Sequence, residues 1–206
     1  MTSEIYITAS CTIADGCIIK DGHVLFEGYG HAPDVLIAAY QQLQFNYARF
    51  YKMDNLAKLG WLASEVLISG SFEKDIYEPE ETGVILANSN SSLDDDLKYF
   101  DTVAGMASPS LFVYTLPNIV IGEICIRNHF KGEQGFYISD KFEPGFIAQQ
   151  VAYLLDNDII KCCICGWVDI LADEYSATLF LVEKSRKDGA VLFSKRNMDE
   201  ILKTGK

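Results

Sequence analysis

The chain has 206 residues, 49% of them hydrophobic and 12% aromatic, which is enough for one domain with a substantial core. Its net charge of −12 argues against nucleic acid and anionic membranes as partners, because both are held by clustered lysine and arginine. No apolar run approaches the roughly 20 residues that span a bilayer, and the first six residues lack a basic-then-apolar leader, so a cytoplasmic location is expected.

In chain order, residues 5–13 are apolar and β-branched and read as a strand. The Asp15-Gly16 and Asp21-Gly22 steps that follow predict a small hairpin through 17–19 and 24–26. A helix is expected over 34–44. A stronger one follows over 54–68, where Leu56, Leu59, Leu62 and Val66 recur at helical spacing and Gly70 suits a C-cap. Residues 72–82 read as an acidic loop and 83–87 as a buried strand. Ser92 is positioned to cap a helix from Leu93, whose first turn holds Asp94, Asp95 and Asp96. Those three carboxylates are read as a solvated face matching the helix dipole rather than a metal site, since consecutive side chains point different ways. Residues 118–130 read as a helix that His129 ends, 136–139 as a strand and 144–155 as a helix. Residues 161–171 are almost continuously apolar, as in a strand covered on both faces, and 178–182 form a further strand. Residues 198–202 suit a short final helix. Alternating helices and strands indicate an α/β layered sheet.

The six cysteines are unevenly spaced and read as small buried side chains in a reducing compartment. Cys162, Cys163 and Cys165 do not suggest zinc, because strand alternation splits them between two faces and no second ligand pair accompanies them. Asn90-Ser91-Ser92 matches a glycosylation sequon by coincidence.

The turn Ser139-Asp140-Lys141-Phe142-Glu143-Pro144-Gly145 carries a family resemblance. It is similar to the nucleophile turn of the β-ketoacyl synthases, Ser-Thr-Ala-Cys-x-Ser-Gly, and anchoring on Ser139 and Gly145 puts Phe142 on the cysteine. Other stretches agree in order: Lys52-Met53-Asp54 ahead of a helix, the strand Gly83-Val84-Ile85-Leu86, and Ser108-Pro109 followed by Leu116-Pro117-Asn118. Cys165-Gly166-Trp167-Val168-Asp169 resembles a later strand ending Gly-Gly-x-Glu/Asp, with Trp167 replacing the second glycine. The resemblance covers most of residues 50–170. It implies an α/β thiolase-like half-fold, a mixed sheet of about five strands with packed helices, with residues 1–206 as a single domain equivalent to a synthase N-terminal half.

In an active member, the cysteine is acidified by the helix N-terminus and accepts the acyl chain from a thioester. A phenyl ring does neither, although the amides there remain able to meet an anion or carbonyl. The family's second half supplies two histidines and a lysine for decarboxylation. The histidines here, His23, His31 and His129, all precede the turn and are not expected to be catalytic. The resemblance therefore implies a non-catalytic subunit, without cofactor or metal. It is similar to the chain-length factors, pairing with a full-length, cysteine-bearing 3-oxoacyl synthase in fatty acid, polyketide or aryl polyene synthesis. Acyl carrier protein, itself acidic, would reach it only through that partner. Phe112, Tyr114, Phe136, Ile138 and Phe142 are the candidate tunnel and interface residues, and strand 136–139 is expected to pair across a subunit two-fold. The alternative is a stand-alone homodimer that binds an acyl thioester. A different nucleophile, Ser139, has no base positioned beside it by the sequence.

Overall fold

The computed structural model describes residues 4–204. Strand β1 (Tyr6–Ala14) turns at Asp15-Gly16, both in the left-handed region (φ 49° and 80°), and pairs antiparallel with β2 (Cys17–Lys20). Asp21-Gly22 (φ 48° and 81°) repeats the device into β3 (His23–Glu27), so both Asp-Gly steps form the tight turns expected of them. Helix α1 (Ala32–Gln42) follows. Helix α2 (Asn55–Ile68) is capped by Asp54, whose carboxylate accepts from the amides of Ala57 (2.9 Å) and Leu56 (3.2 Å). Every residue of α2 except Lys58 is buried, which makes it the central helix. Gly60 lets it approach its neighbour, since a Cβ there would lie 2.3 Å from Val120.

Strand β4 (Thr82–Asn88) is buried along its whole length. Helices α3 (Leu93–Val103), α4 (Pro109–Phe112) and α5 (Ile119–Asn128) lead to β5 (Gln134–Ile138), and α6 (Pro144–Asp156) leads to β6 (Cys162–Leu171). His129 ends α5 in the left-handed conformation, at φ 61°. Strand β7 (Glu174–Glu183) returns antiparallel to β6, and β8 (Val191–Leu192) and α7 (Lys195–Thr204) close the described chain.

The sheet order is β3-β2-β1-β7-β6-β4-β5, with β8 on β1. Strands β5, β4 and β6 are parallel and the other pairings antiparallel, so the sheet is mixed. It has eight strands rather than about five. The β2–β3 hairpin continues the sheet along the free edge of β1 instead of standing apart, and β8 adds a two-residue strand. Helices α1, α2 and α5 cover one face; α6 and α7 cover the other, through Ile147, Val151, Leu155 and Met198. Strand β6 sends Cys162 and Ile164 into the first core and Cys163 and Cys165 into the second, which is the alternation its apolar run required.

Two local expectations fail. Ser92 does not cap α3 with its side chain; its hydroxyl donates instead to the Thr115 carbonyl (2.9 Å) and to Asp96 Oδ2 (3.2 Å), tying the helix start to the segment after α4. Asp94 and Asp95 are not a solvated face but are buried, 7% and 1% exposed, because α3 lies with this side against the N-terminus of α2 and the β6–β7 hairpin. Asp94 accepts from Asn55 Nδ2 (3.0 Å), Lys98 Nζ (2.5 Å) and the Ala172 amide (3.0 Å). Both Asp95 oxygens are buried without a hydrogen-bond partner.

Candidate functional site at the strand-to-helix turn

Strand β5 ends where the Ser139 amide donates to the Asn88 carbonyl (2.9 Å), one residue past the last β4–β5 pair. The Ser139 hydroxyl donates to the Lys141 carbonyl (2.6 Å) and closes the turn. Pro144, suited by its fixed φ to the first helical turn, starts α6, and Glu143 at the cap position provides no side-chain cap. Proline also removes one of the amide donors that a helix N-terminus would otherwise aim at a ligand.

Phe142 sits in this junction, half-buried on the α6 face of the sheet. Its ring centroid lies 5.9 Å from Trp167, tilted, and 6.5 Å from Phe180, stacked. Trp167 is itself 9% exposed. Phe142 and Trp167, the two positions at which the sequence resemblance expects a cysteine and a glycine, therefore pack against each other.

The other candidates lie elsewhere. Phe136 is half-buried against the opposite core, under α2 and α5, and Ile138, two residues on along the same side of β5, is 54% exposed. Phe112 is 60% exposed and touches Tyr99, ring centroids 5.5 Å apart. Tyr114 donates to Glu123 Oε1 (3.2 Å), a buried carboxylate on α5 that also accepts from Arg49 Nε (3.0 Å) and Nη2 (2.8 Å). Burial, followed by Glu123, pushes the Tyr114 hydroxyl well above its ordinary pKa, so it remains a donor. Phe142 and Phe136 occupy opposite faces of the sheet, and the five residues do not converge on one cavity.

Sequence reasoning missed a polar junction beside the turn. Strand β4 is followed by β5 on one side, and β6 then returns to the other, so the carboxyl ends of β4 and β6 flank a switch in strand order. There Asp169 Oδ1 accepts from the Ser89 (3.1 Å) and Asn90 (3.0 Å) amides, while Oδ2 accepts from the Ser89 hydroxyl and Asn90 Nδ2, both at 2.8 Å. The carboxylate thus fills the crevice itself. Beyond it lies an open cleft of about 630 Å³ lined by Asp15, Tyr29, Asp169, Asp173 and Tyr175, away from Phe142. His31 Nδ1 lies 2.8 Å from Asp173 Oδ2, and the Ala32 amide donates to the same carboxylate (3.1 Å). Among the described residues, no cluster of His, Cys, Asp and Glu is arranged to hold a metal ion, and no helix is long and apolar enough to cross a membrane.

The outer edge of β5 is open, since the strand pairs only with β4. Exposed apolar groups flank it. Phe146 (41% exposed) stands edge-on to Tyr137 at 4.8 Å, and Tyr153 (63%) lies two turns further along the same side of α6.

No protein-family model and no curated protein matches this sequence. Solved structures do. The ishigamide ketosynthase/chain length factor superposes with a TM-score of 0.66 at 14% identity, covering 92% of this chain and 64% of that one. A type II polyketide synthase acyl-carrier protein in complex with its ketosynthase (AntDE:AntF) gives 0.60 at 13% identity over 89% and 63%. The ketosynthase ApeO in complex with its chain length factor ApeC, from Xenorhabdus doucetiae, gives 0.59 at 11% identity over 88% and 79%. The fold is that of the ketosynthases and chain length factors. This chain spans just under two thirds of the length of the first two of these structures.

Proposed function

We propose that the chain is a non-catalytic, chain-length-factor-like subunit, its residues 1–206 forming one domain equivalent to a synthase N-terminal half. Its partner is a cysteine-bearing ketosynthase of fatty acid, polyketide or related acyl synthesis. The observation that carries this reading is Phe142, which the resemblance sets in place of the nucleophile and which stands at the junction of β5 and α6, packed against Trp167 and Phe180. Two further features support it: Ser139 spends its hydroxyl on the Lys141 carbonyl, and Pro144 offers no amide. Similarity to ketosynthase and chain length factor structures supports the pairing, as does the open β5 edge with Ile138, Phe146 and Tyr153 exposed beside it. In this reading β5 pairs with the corresponding strand of the partner. Phe112, Tyr114 and Phe136, which lie apart from Phe142, stay further candidates for tunnel and interface contacts, and the Phe142–Trp167 plug bounds the space left to the growing acyl chain. An acyl carrier protein docks on the partner, because a chain of net charge −12 repels an acidic carrier.

The test is reconstitution. The purified chain alone forms no carbon–carbon bond from acyl- and malonyl-carrier substrates, whereas the mixture with its ketosynthase does, and Phe142→Ala shifts the products toward longer chains. Condensation by the chain alone would overturn the non-catalytic assignment. An unchanged product distribution with Phe142→Ala would remove the plug role. A stable dimer of this chain that ignores the ketosynthase would favour a homodimeric acyl-thioester-binding protein.

A further inference from the structure

Helix α3 is inside out. Leu93, Leu97, Phe100 and Val103 recur at helical spacing, yet they are 40%, 55%, 73% and 50% exposed. Met106, just beyond the helix, is 89% exposed. The inward side carries Asp94 and Asp95, the latter with no hydrogen-bond partner, and then Tyr99 and Thr102. An amphipathic helix ordinarily turns its apolar stripe to the core. Here both faces are costly in the isolated chain, a buried unpartnered carboxylate on one side and bare apolar surface on the other. Asp94 holds the helix in this orientation through Asn55 and the Ala172 amide, so the stripe is directed outward by specific bonds rather than by loose packing.

The outward face presents on the order of 600 Å² of apolar side chain, at the upper end of what monomers leave bare. Matched by an equal face it buries roughly 1,200 Å², the lower limit of specific interfaces. We propose that α3 is a docking helix that seats in an apolar groove of the ketosynthase partner, one bordered by lysine or arginine. This rests on the pairing proposed above and adds a second contact, on the β6 side of β4, away from the β5 edge. Charge selects the occupant. Lys98 is the helix's single cation and is held by Asp94, whereas Asp96 and Asp101 flank the stripe with no ion pair among the described residues. A second copy would set these acids, and a further charge of −12, against their like.

The experiment measures binding of the full chain to the cysteine-bearing ketosynthase from the same genome, at low and high salt, alongside sedimentation of the chain alone. Leu97→Glu combined with Phe100→Glu is expected to weaken binding about 30-fold or more, as for two central apolar contacts. Asp101→Lys is expected to weaken it several-fold at low salt and little at high salt. Ile76→Glu, as exposed as Leu97 (55%) and remote from α3 in the chain, leaves binding unchanged. All four side chains are exposed, and thermal melts check that the variants stay folded. If the wild-type chain binds and the α3 variants bind within twofold of it, the docking helix is refuted while the pairing stands. If the wild-type chain does not bind, both fail. A self-dimer that the α3 substitutions dissolve would identify a second copy as the occupant and overturn the proposal.

Discussion

Asp95→Asn should shift the balance of stability toward the variant as pH rises from about 4 to 7. Burial, helped by Asp96 and Asp94 and opposed by Lys98, pushes the Asp95 carboxyl from the ordinary 3.8 up to about 6. A carboxyl whose folded pKa lies above its unfolded value penalises the fold once it ionises. The penalty is absent below about pH 4, accrues between 4 and 6, and is fully present at neutral pH. Two units correspond to at most ~3 kcal/mol. Asparagine cannot ionise, and whatever its amide costs in that site is the same at every pH. The difference in unfolding free energy between variant and wild type should therefore widen by about 2–3 kcal/mol from pH 4 to pH 7. Urea unfolding read by circular dichroism measures it, at micromolar protein because the isoelectric point is near 4.6. With a urea m-value of about 2 kcal/mol/M, the midpoint gap grows by roughly 1 M. A gap that stays constant across this range would refute the claim that Asp95 is an uncompensated buried acid.

Three further outcomes follow from the geometry. Phe142→Ala removes a half-buried ring from between Trp167 and Phe180 and should cost about 2 kcal/mol in chemical denaturation, with a change in tryptophan fluorescence. Asp169→Ala strands two backbone and two side-chain donors of Ser89 and Asn90; a loss of about 2–3 kcal/mol is expected, with faster hydrogen exchange at those two amides and unaltered exchange in α6. The hydrogen bond to Asp173 raises the His31 pKa above the ordinary 6.5, so the pair is intact between the range where Asp173 protonates, below 3.8, and neutral pH, and fades as pH rises through the raised histidine value. An NMR titration should place His31 above 6.5 in the wild-type chain and bring it down in Asp173→Asn.

Much of the fold was legible because its signals are local. Asp-Gly turns specify hairpins through left-handed φ, Asp54 caps α2 through its own side chain, and the unbroken apolar run of β6 leaves no solvent face. The start of β7 was less visible, because Glu174-Tyr175-Ser176 pairs with β6, and Ser176 also with β1, while polar groups there stay partly exposed. The candidate site was read partially. The position of Phe142 in the turn followed from the spacing of Ser139 and Gly145, but its contact with Trp167 did not, since that joins residues on α6's approach and on β6. Nothing in the sequence marked Asp169 as the acceptor of four donors, because those donors come from the far end of β4.

By itself the sequence determined the alternation of helix and strand, a phenylalanine at the strand-to-helix turn, and an acidity that disfavours anionic partners. These depend on side-chain period and chemistry along short stretches, where neighbours in the chain are neighbours in space. Only the tertiary structure decided that β2 and β3 extend the main sheet, that Phe142 and Trp167 meet, and that α3 turns Asp94 and Asp95 inward and its leucines outward. A helix's pattern states which residues share a side; which side faces the core depends on where α2 and the β6–β7 hairpin place Asn55 and Ala172, and that is settled by contacts between segments far apart in the chain.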